Sequence, residues 1–282
     1  SGPVGESALR IYDNQDDGPV EFKFEYERDY FNPSSVVKHI DRLIHLIRNL
    51  PETDTPIALV KIVEDAELGL IFEQSHGDIA ATNHNCGTLD KLFAQQVART
   101  PEAIALVCGD EQLSYAELDA RANQLARHLI TQGIGPEQIV AILLERSTAM
   151  IVSLLAVLKA GAAYLPMDPS YPVERLSFML ADSRAAAVIS TGAILDESNI
   201  EVLRTIKLDD YILEVMLEQY PSQAIDGSEL SAPLTSQNLA YLIYTSGSTG
   251  TPKGAGNTHQ GGCNSVDLSI NQLKLNHASR AL

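Results

Sequence analysis

The chain has 282 residues, of which 45% are hydrophobic and 20% charged, with a net charge of -17 and a pI near 4.7. That balance suits a folded globular protein, and the negative charge gives a phosphate backbone no basic surface, so nucleic acid is not an expected partner. No run approaches the roughly 18 apolar residues of a membrane span, and "SGPVGESALR" lacks the apolar segment of a secretory signal, so no membrane partner and a cytoplasmic location are expected.

The first predicted element is a strand in "GPVEFKFEYERDYF", where Val20, Phe22, Phe24 and Tyr26 alternate with charged residues. A helix follows in "SSVVKHIDRLIHLIRNL", with Val36, Val37, Ile40, Leu43, Ile44 and Ile47 at helical spacing and Ser34 or Ser35 as N-cap. His39 and His45 fall on different faces of it and read as surface histidines, not metal ligands. Residues 51–87 read as an acidic connector: through Asp90 there is one cation, Lys61, among Glu52, Asp54, Glu64, Asp65, Glu67, Glu73 and Asp78. Its patches "IALVKIV" and "LGLIF" suit a segment lying on a neighbouring surface.

From Thr88 helices and strands alternate. "TLDKLFAQQVARTP" reads as a helix capped by Thr88, and "AIALVCGDEQLSY" as two short strands around Gly109-Asp110. Ser114 and Glu117 form a capping-box pattern, opening a helix that stops at Gly133. "QIVAILLE" is apolar nearly throughout, as in a buried parallel strand; "RSTAMIVSLLAVLKAG" is an apolar helix closed by Gly161, and "AAAVIS" is another strand. The succession implies an α/β fold of layered β-sheets with flanking helices. Cys86, Cys108 and Cys263 lie far apart without CxxC spacing, so free buried thiols are expected and no zinc site.

The segment that carries chemistry is "YLIYTSGSTGTPKG" (241–254). An apolar strand delivers the chain into Thr245, Ser246, Gly247, Ser248, Thr249 and Gly250. Glycines there permit close approach and positive φ, so successive N–H groups can converge on an anion, and four hydroxyls add donors. It is not a Walker A loop, because Pro252 precedes Lys253 and Gly254 follows it. A flexible Ser/Gly linker is the bland alternative, and its flanks speak against it: a long apolar strand before, a rigid proline and a cation after.

"YTSGSTGTPKG" resembles the phosphate-binding loop of the adenylate-forming enzymes, and "LSYAELDARANQLARHL" (113–129) with "LKAGAAYLPMDPSYPVERL" (158–176) resembles the adenylation domains of nonribosomal peptide synthetases. "FEYERDYFNPSSVVKHIDRLIHLIRNL" resembles the closing strand and helix of a condensation domain, although no HHxxxDG signature is present. The resemblance implies residues 1–50 as a condensation-domain remnant, 51–87 as linker, and 88–282 as the N-terminal, incomplete part of the large adenylation subdomain. It implies activation of an amino acid by Mg-ATP to aminoacyl-AMP, with ATP and Mg2+ as cofactors. The implied partners are the amino-acid substrate, a carrier-protein domain with phosphopantetheine, and an adjoining condensation domain.

By the family pattern Thr245, Ser246, Gly247, Ser248, Thr249, Gly250 and Lys253 grip the β- and γ-phosphates, and His259 is structural. Gly256 and Asn257 stand where the family has strand formers, which is expected to weaken sheet pairing there. The family's remaining adenine, ribose, amino-acid and catalytic residues lie beyond Leu282, so no catalytic or metal-binding residue is assigned and the chain alone is expected to be inactive. The alternatives are a catalytically silent interface piece and a general acyl-CoA ligase fragment.

Overall fold

The computed structural model describes residues 7–12, 21–26, 31–48, 63, 65–75, 87–200, 204–245, 252–274 and 279. The chain divides into two compact units, Ser1–Ala81 and Thr82–Leu282. Among the described residues no helix is long and apolar enough to cross a membrane.

In the first unit β1 (Ser7–Tyr12) pairs antiparallel with β2 (Glu21–Tyr26), Ser7 opposite Tyr26. The helix α1 (Pro33–Arg48) begins two residues earlier than a cap at Ser34 would place it, because the Asn32 carboxamide oxygen accepts from the Ser34 amide and hydroxyl. Asn32 caps the helix, with Pro33 at the first helical position where its missing N–H costs nothing. Inside the acidic segment lies α2 (Asp65–Ser75), tied to α1 by a two-point contact from Arg42 to Glu67.

The second unit is built on a six-stranded sheet. Its elements are α3 (Leu89–Arg99), the hairpin β3 (Ile104–Cys108) and β4 (Glu111–Ser114), α4 (Tyr115–Thr131), β5 (Ile139–Leu143), α5 (Thr148–Lys159), β6 (Ala163–Met167), α6 (Val173–Ser183), β7 (Ala187–Ser190), α7 (Gly192–Ser198), β8 (Thr205–Lys207), α8 (Tyr211–Gln219), β9 (Leu239–Thr245), β10 (Lys253–Thr258) and α9 (His259–Gln272). The strand order is β10-β9-β6-β5-β7-β8, parallel throughout except for β10, which returns antiparallel along β9 at the edge.

The period-2 geometry of a strand splits the apolar residues between two dry faces. Val140, Ile142, Ala187 and Ile189 point to one, where Leu125 and Leu129 of α4, Val157 of α5 and Leu213 of α8 cover them. Ala141, Leu143, Leu165, Val188 and Leu242 point to the other, beneath Leu176 and Met179 of α6. The helices begin and end where local chemistry requires. The Ser114 hydroxyl accepts from the Glu117 amide while the Glu117 carboxylate accepts from the Ser114 amide, the reciprocal capping box.

The long connection after α8 is fastened to α4 by one side chain. Arg127, 10% exposed, donates to both Glu229 carboxylate oxygens at 2.8 and 2.9 Å and to the carbonyls of Pro221, Gln223 and Ala224. That bond to Arg127, with the Asp226 amide assisting, holds the Glu229 carboxyl below its usual range. A lowered carboxylate contributes stability that is present above its unfolded value of about 4.3 and disappears as pH falls through the folded one. Arg127→Met is expected to lower the unfolding free energy by about 2 to 3 kcal/mol, under the range for fully buried pairs because Glu229 is partly solvated. Denaturant titration at neutral pH reads the loss, and the difference from wild type should shrink on acidification toward pH 3.

Candidate functional site

Parallel strands bring their C-terminal ends to one edge of a sheet, and ligand crevices of open α/β sheets form there, where the chain reverses its direction of travel. In this chain β5 is central: β6 lies on one side of it, and the next strand, β7, on the other. The edge therefore gathers Glu145 and Arg146 after β5, Asp168 to Tyr171 after β6, Thr191 and Gly192 after β7, and Thr245 at the end of β9.

The segment after β6 is a built turn. The Asp168 carboxylate accepts from the Ser170 amide at 2.9 Å, and this bond, then the Ser170 hydroxyl and the Arg146 charge, lowers the Asp168 carboxyl. The Arg175 guanidinium lies over the Tyr171 ring at 3.9 Å, a cation–π contact at the start of α6. After β7, Asp209 accepts from the Gly192 amide with both oxygens.

Of the residues singled out from sequence, Thr245 and Lys253 are described, and the fold brings them together as directly opposed partners. Both are exposed, one closing β9 and the other opening β10. Ser246, Gly247, Ser248, Thr249 and Gly250 lie outside the described residues. A short antiparallel return thus sets an ammonium beside the end of the apolar strand, at the edge where the sheet's loops collect. Among the described residues no cluster of three or more His, Cys, Asp or Glu could hold a metal ion.

Gly256 and Asn257, where weakened pairing is expected, are paired nonetheless. β10 runs in register from Lys253 opposite Thr245 to Asn257 opposite Tyr241, with a shift only at Thr258. The reason is steric. A Cβ at Gly254 would stand 3.1 Å from the Tyr244 ring, and one at Gly256 would stand 2.8 Å from a Leu239 methyl. The glycines leave room for large β9 side chains, a gain that offsets their low strand propensity. The cysteine expectation is corrected: Cys108 is a free thiol, whereas the buried Cys263 is disulfide-bonded, since distance along the chain does not fix distance in space.

At the opposite end of the hairpin, Glu137, in the left-handed region at φ 65°, accepts from the Asn238 side chain and from the Leu239 amide where β9 starts. His259, fully buried, donates its amide to the Asn238 carbonyl and accepts from the Leu89 amide at Nδ1, 3.1 Å away. The imidazole therefore takes over the capping of α3 expected of Thr88, whose side chain makes no cap bond. This agrees with a structural role. Burial pushes the His259 imidazole below its ordinary pKa, against an opposing pull from Asp90.

A sequence profile described as AMP-binding enzyme matches residues 93–281. A dimodular nonribosomal peptide synthase of Bacillus subtilis (strain 168) is 41% identical over 253 residues, 89% of this chain and 10% of its own length. A chondramide synthase of Chondromyces crocatus is 38% identical over 84% of this chain and 6% of its own length. A plipastatin synthase component of Bacillus subtilis (strain 168) is 33% identical over 99% of this chain and 8% of its own length. The chain spans a tenth or less of these relatives. Among solved structures, the nonribosomal peptide synthetase FmoA3 in an AMPPNP-bound form aligns with a TM-score of 0.69 at 22% identity, over 94% of this chain and 27% of that one. The N-terminal subdomain of Klebsiella oxytoca NpsA aligns with a TM-score of 0.51 at 24% identity, over 61% and 42%. At these identities the two structures establish likeness of fold.

The supports of the hairpin are testable without ligand. Because the folded state disfavours protonated His259, the stability it lends is present above the unfolded pKa of about 6.5 and falls as pH drops below it. His259→Gln should flatten the stability curve between pH 6.5 and 5 without abolishing the slope, since His128 is lowered by burial in the same sense. His259→Ala, which orphans the Leu89 amide, should cost about 2 kcal/mol by urea titration at pH 7.5.

Proposed function

The chain belongs to the AMP-binding enzyme family, and from the site we propose that it carries the N-terminal part of a nonribosomal peptide synthetase adenylation domain, in which the β9–β10 hairpin grips the pyrophosphate end of ATP. The observation that carries this reading is the pairing of Thr245 with Lys253 at the sheet's C-terminal edge. The domain's reaction is attack of an amino-acid carboxylate oxygen on the α-phosphorus, forming aminoacyl-AMP and releasing pyrophosphate. A carrier-protein phosphopantetheine thiol then takes the acyl group and AMP leaves.

Transfer at phosphorus depends on positioning and on stabilising charge that accumulates on the departing phosphates. Two kinds of group serve that need here. Backbone amides and hydroxyls of Thr245, Ser246, Gly247, Ser248, Thr249 and Gly250 supply short-range donors, and the Lys253 ammonium supplies a point charge. The exposed Lys253, opposite Thr245, faces the same mouth from the return strand. Magnesium, bound with ATP, would add positive charge at the phosphates.

We read residues 1–50 as the end of a condensation domain, 51–87 as the linker and 88–282 as adenylation sequence. In support, the match to the plipastatin synthase component extends over 99% of the chain and so includes its N-terminal unit. The partners that follow are an amino acid, a carrier domain and the adjoining condensation domain.

Lys253→Ala combined with Gly247→Ala should weaken Mg-ATP binding at least about tenfold, the effect of removing a charge-assisted contact. Isothermal titration of the variant against wild type measures it, and unchanged affinity would count against the grip. ATP–pyrophosphate exchange across a panel of amino acids tests the chemistry: exchange by the 282-residue chain itself would contradict the reading that residues outside it are required.

A further inference from the structure

The end of β9 is paired on one side only, with β10. Its pairing with β6 registers at one position, Tyr164 with Tyr241, four residues before Thr245. On its other side stands β10, an edge strand with no second neighbour among the described residues. Side chains add to that ladder at the mouth of the hairpin, and Tyr244 is placed to do so.

Tyr244 immediately precedes Thr245 and stands opposite Gly254, which immediately follows Lys253. Its hydroxyl donates to the Asp182 carboxylate of α6 at 2.5 Å. Its ring meets Phe178 of the same helix edge-on, with centroids 6.3 Å apart and planes at 80°. The gap at Gly254 lets the ring lie against the return strand, where an added Cβ would come within 3.1 Å of the carbon that bears the hydroxyl. One side chain therefore touches both strands at the mouth and joins them to a helix packed on the sheet. Burial and the adjacent carboxylate push the phenol well above its ordinary pKa, so the donor persists at neutral pH.

We propose that Tyr244 and Asp182 form a positioning pair for the phosphate grip: they fix Thr245 and Lys253 against α6, so that the triphosphate meets an ammonium already in place. The pair also gives the second motif a physical tie to the loop, since Asp182 lies in the helix that begins in "YPVERL". Neither residue touches the reacting atoms, and both act through the two hairpin residues. The inference rests on the phosphate-grip reading.

Mg-ATP titrations of the whole 282-residue chain test it, run where circular dichroism shows every variant folded. Tyr244→Phe and Asp182→Ala are each expected to weaken binding about fivefold, the worth of one hydrogen bond. The double variant should bind no more weakly than either single one. Asp182→Asn, which keeps an acceptor, should remain within about twofold of wild type, a rescue that a merely structural role for the charge would not give. Amide exchange at Thr245 and Lys253 should quicken about fivefold in Tyr244→Phe and stay unchanged at Ile206 of β8. Wild-type affinity in Tyr244→Phe and Asp182→Ala, alongside weakened binding in Lys253→Ala, overturns the positioning pair and leaves the grip intact. If wild type binds no Mg-ATP, or Lys253→Ala binds it unchanged, the grip itself fails and this inference with it.

Discussion

Everything in the second unit depends on β5 being dry on both faces. Val140, Ala141, Ile142 and Leu143 are each 1% exposed or less, a burial possible only if helices cover the sheet above and below. Burying such side chains is worth roughly 1.5 to 3 kcal/mol each for the larger ones, and no single helix can supply both covers. The crossovers through α5 and α6 provide them, and they place β6 and β7 on either side of the central strand. Three consequences follow: a layered α/β architecture, a shared C-terminal edge, and polar loops collected at that edge.

The hairpin at the end of the sheet is held differently. β9 is apolar enough to join the sheet, but β10 carries Lys253, Gly254, Ala255, Gly256, Asn257 and Thr258 and is largely exposed. Its stability comes from β9, whose Tyr244, Leu242 and Leu239 occupy the space that side chains on β10 would have taken. The stacked pair Tyr164 and Tyr241, 5.5 Å apart, anchors β9 to its parallel neighbour on the other side, and burial there pushes Tyr164 up to about 12. Anchors at both ends, Glu137 and His259 at the base and Tyr244 at the mouth, give a short edge structure fixed termini. A grip needs this, because ordering a loose loop at the moment of binding subtracts from affinity.

Local chemistry was readable from sequence. The capping box at Ser114 and Glu117, the continuous apolar run of β5, the turn glycine at Gly109 and the strand feeding Thr245 all depend on neighbours a few residues away. Pairings across the chain were not. Asn32 displaced Ser34 as the cap because a proline at the first helical position shifts the start. Thr88 gave up its capping role to His259, whose imidazole bonds the Leu89 amide from 170 residues downstream. The glycines of β10 read as strand breakers, because local propensity cannot register the tyrosine and leucines that need the room. Asp182 carries no signal in its own neighbourhood, and only the packing of α6 beside β9 gives it Tyr244 as partner. The one available signal was that Tyr244 lies in the loop motif and Asp182 in the helix that the second motif opens.

The triphosphate of ATP is proposed to bind at the mouth of the β9–β10 hairpin. Amide chemical shifts of the labelled chain, recorded during titration with Mg-ATP and then with inorganic pyrophosphate, test it most directly. Binding at the mouth requires that both ligands shift Thr245, Lys253 and Gly254 saturably while Ile206 and Leu213, at the far edge, stay in place. Saturable shifts centred on β8 and α8, with the hairpin amides unmoved, would contradict it.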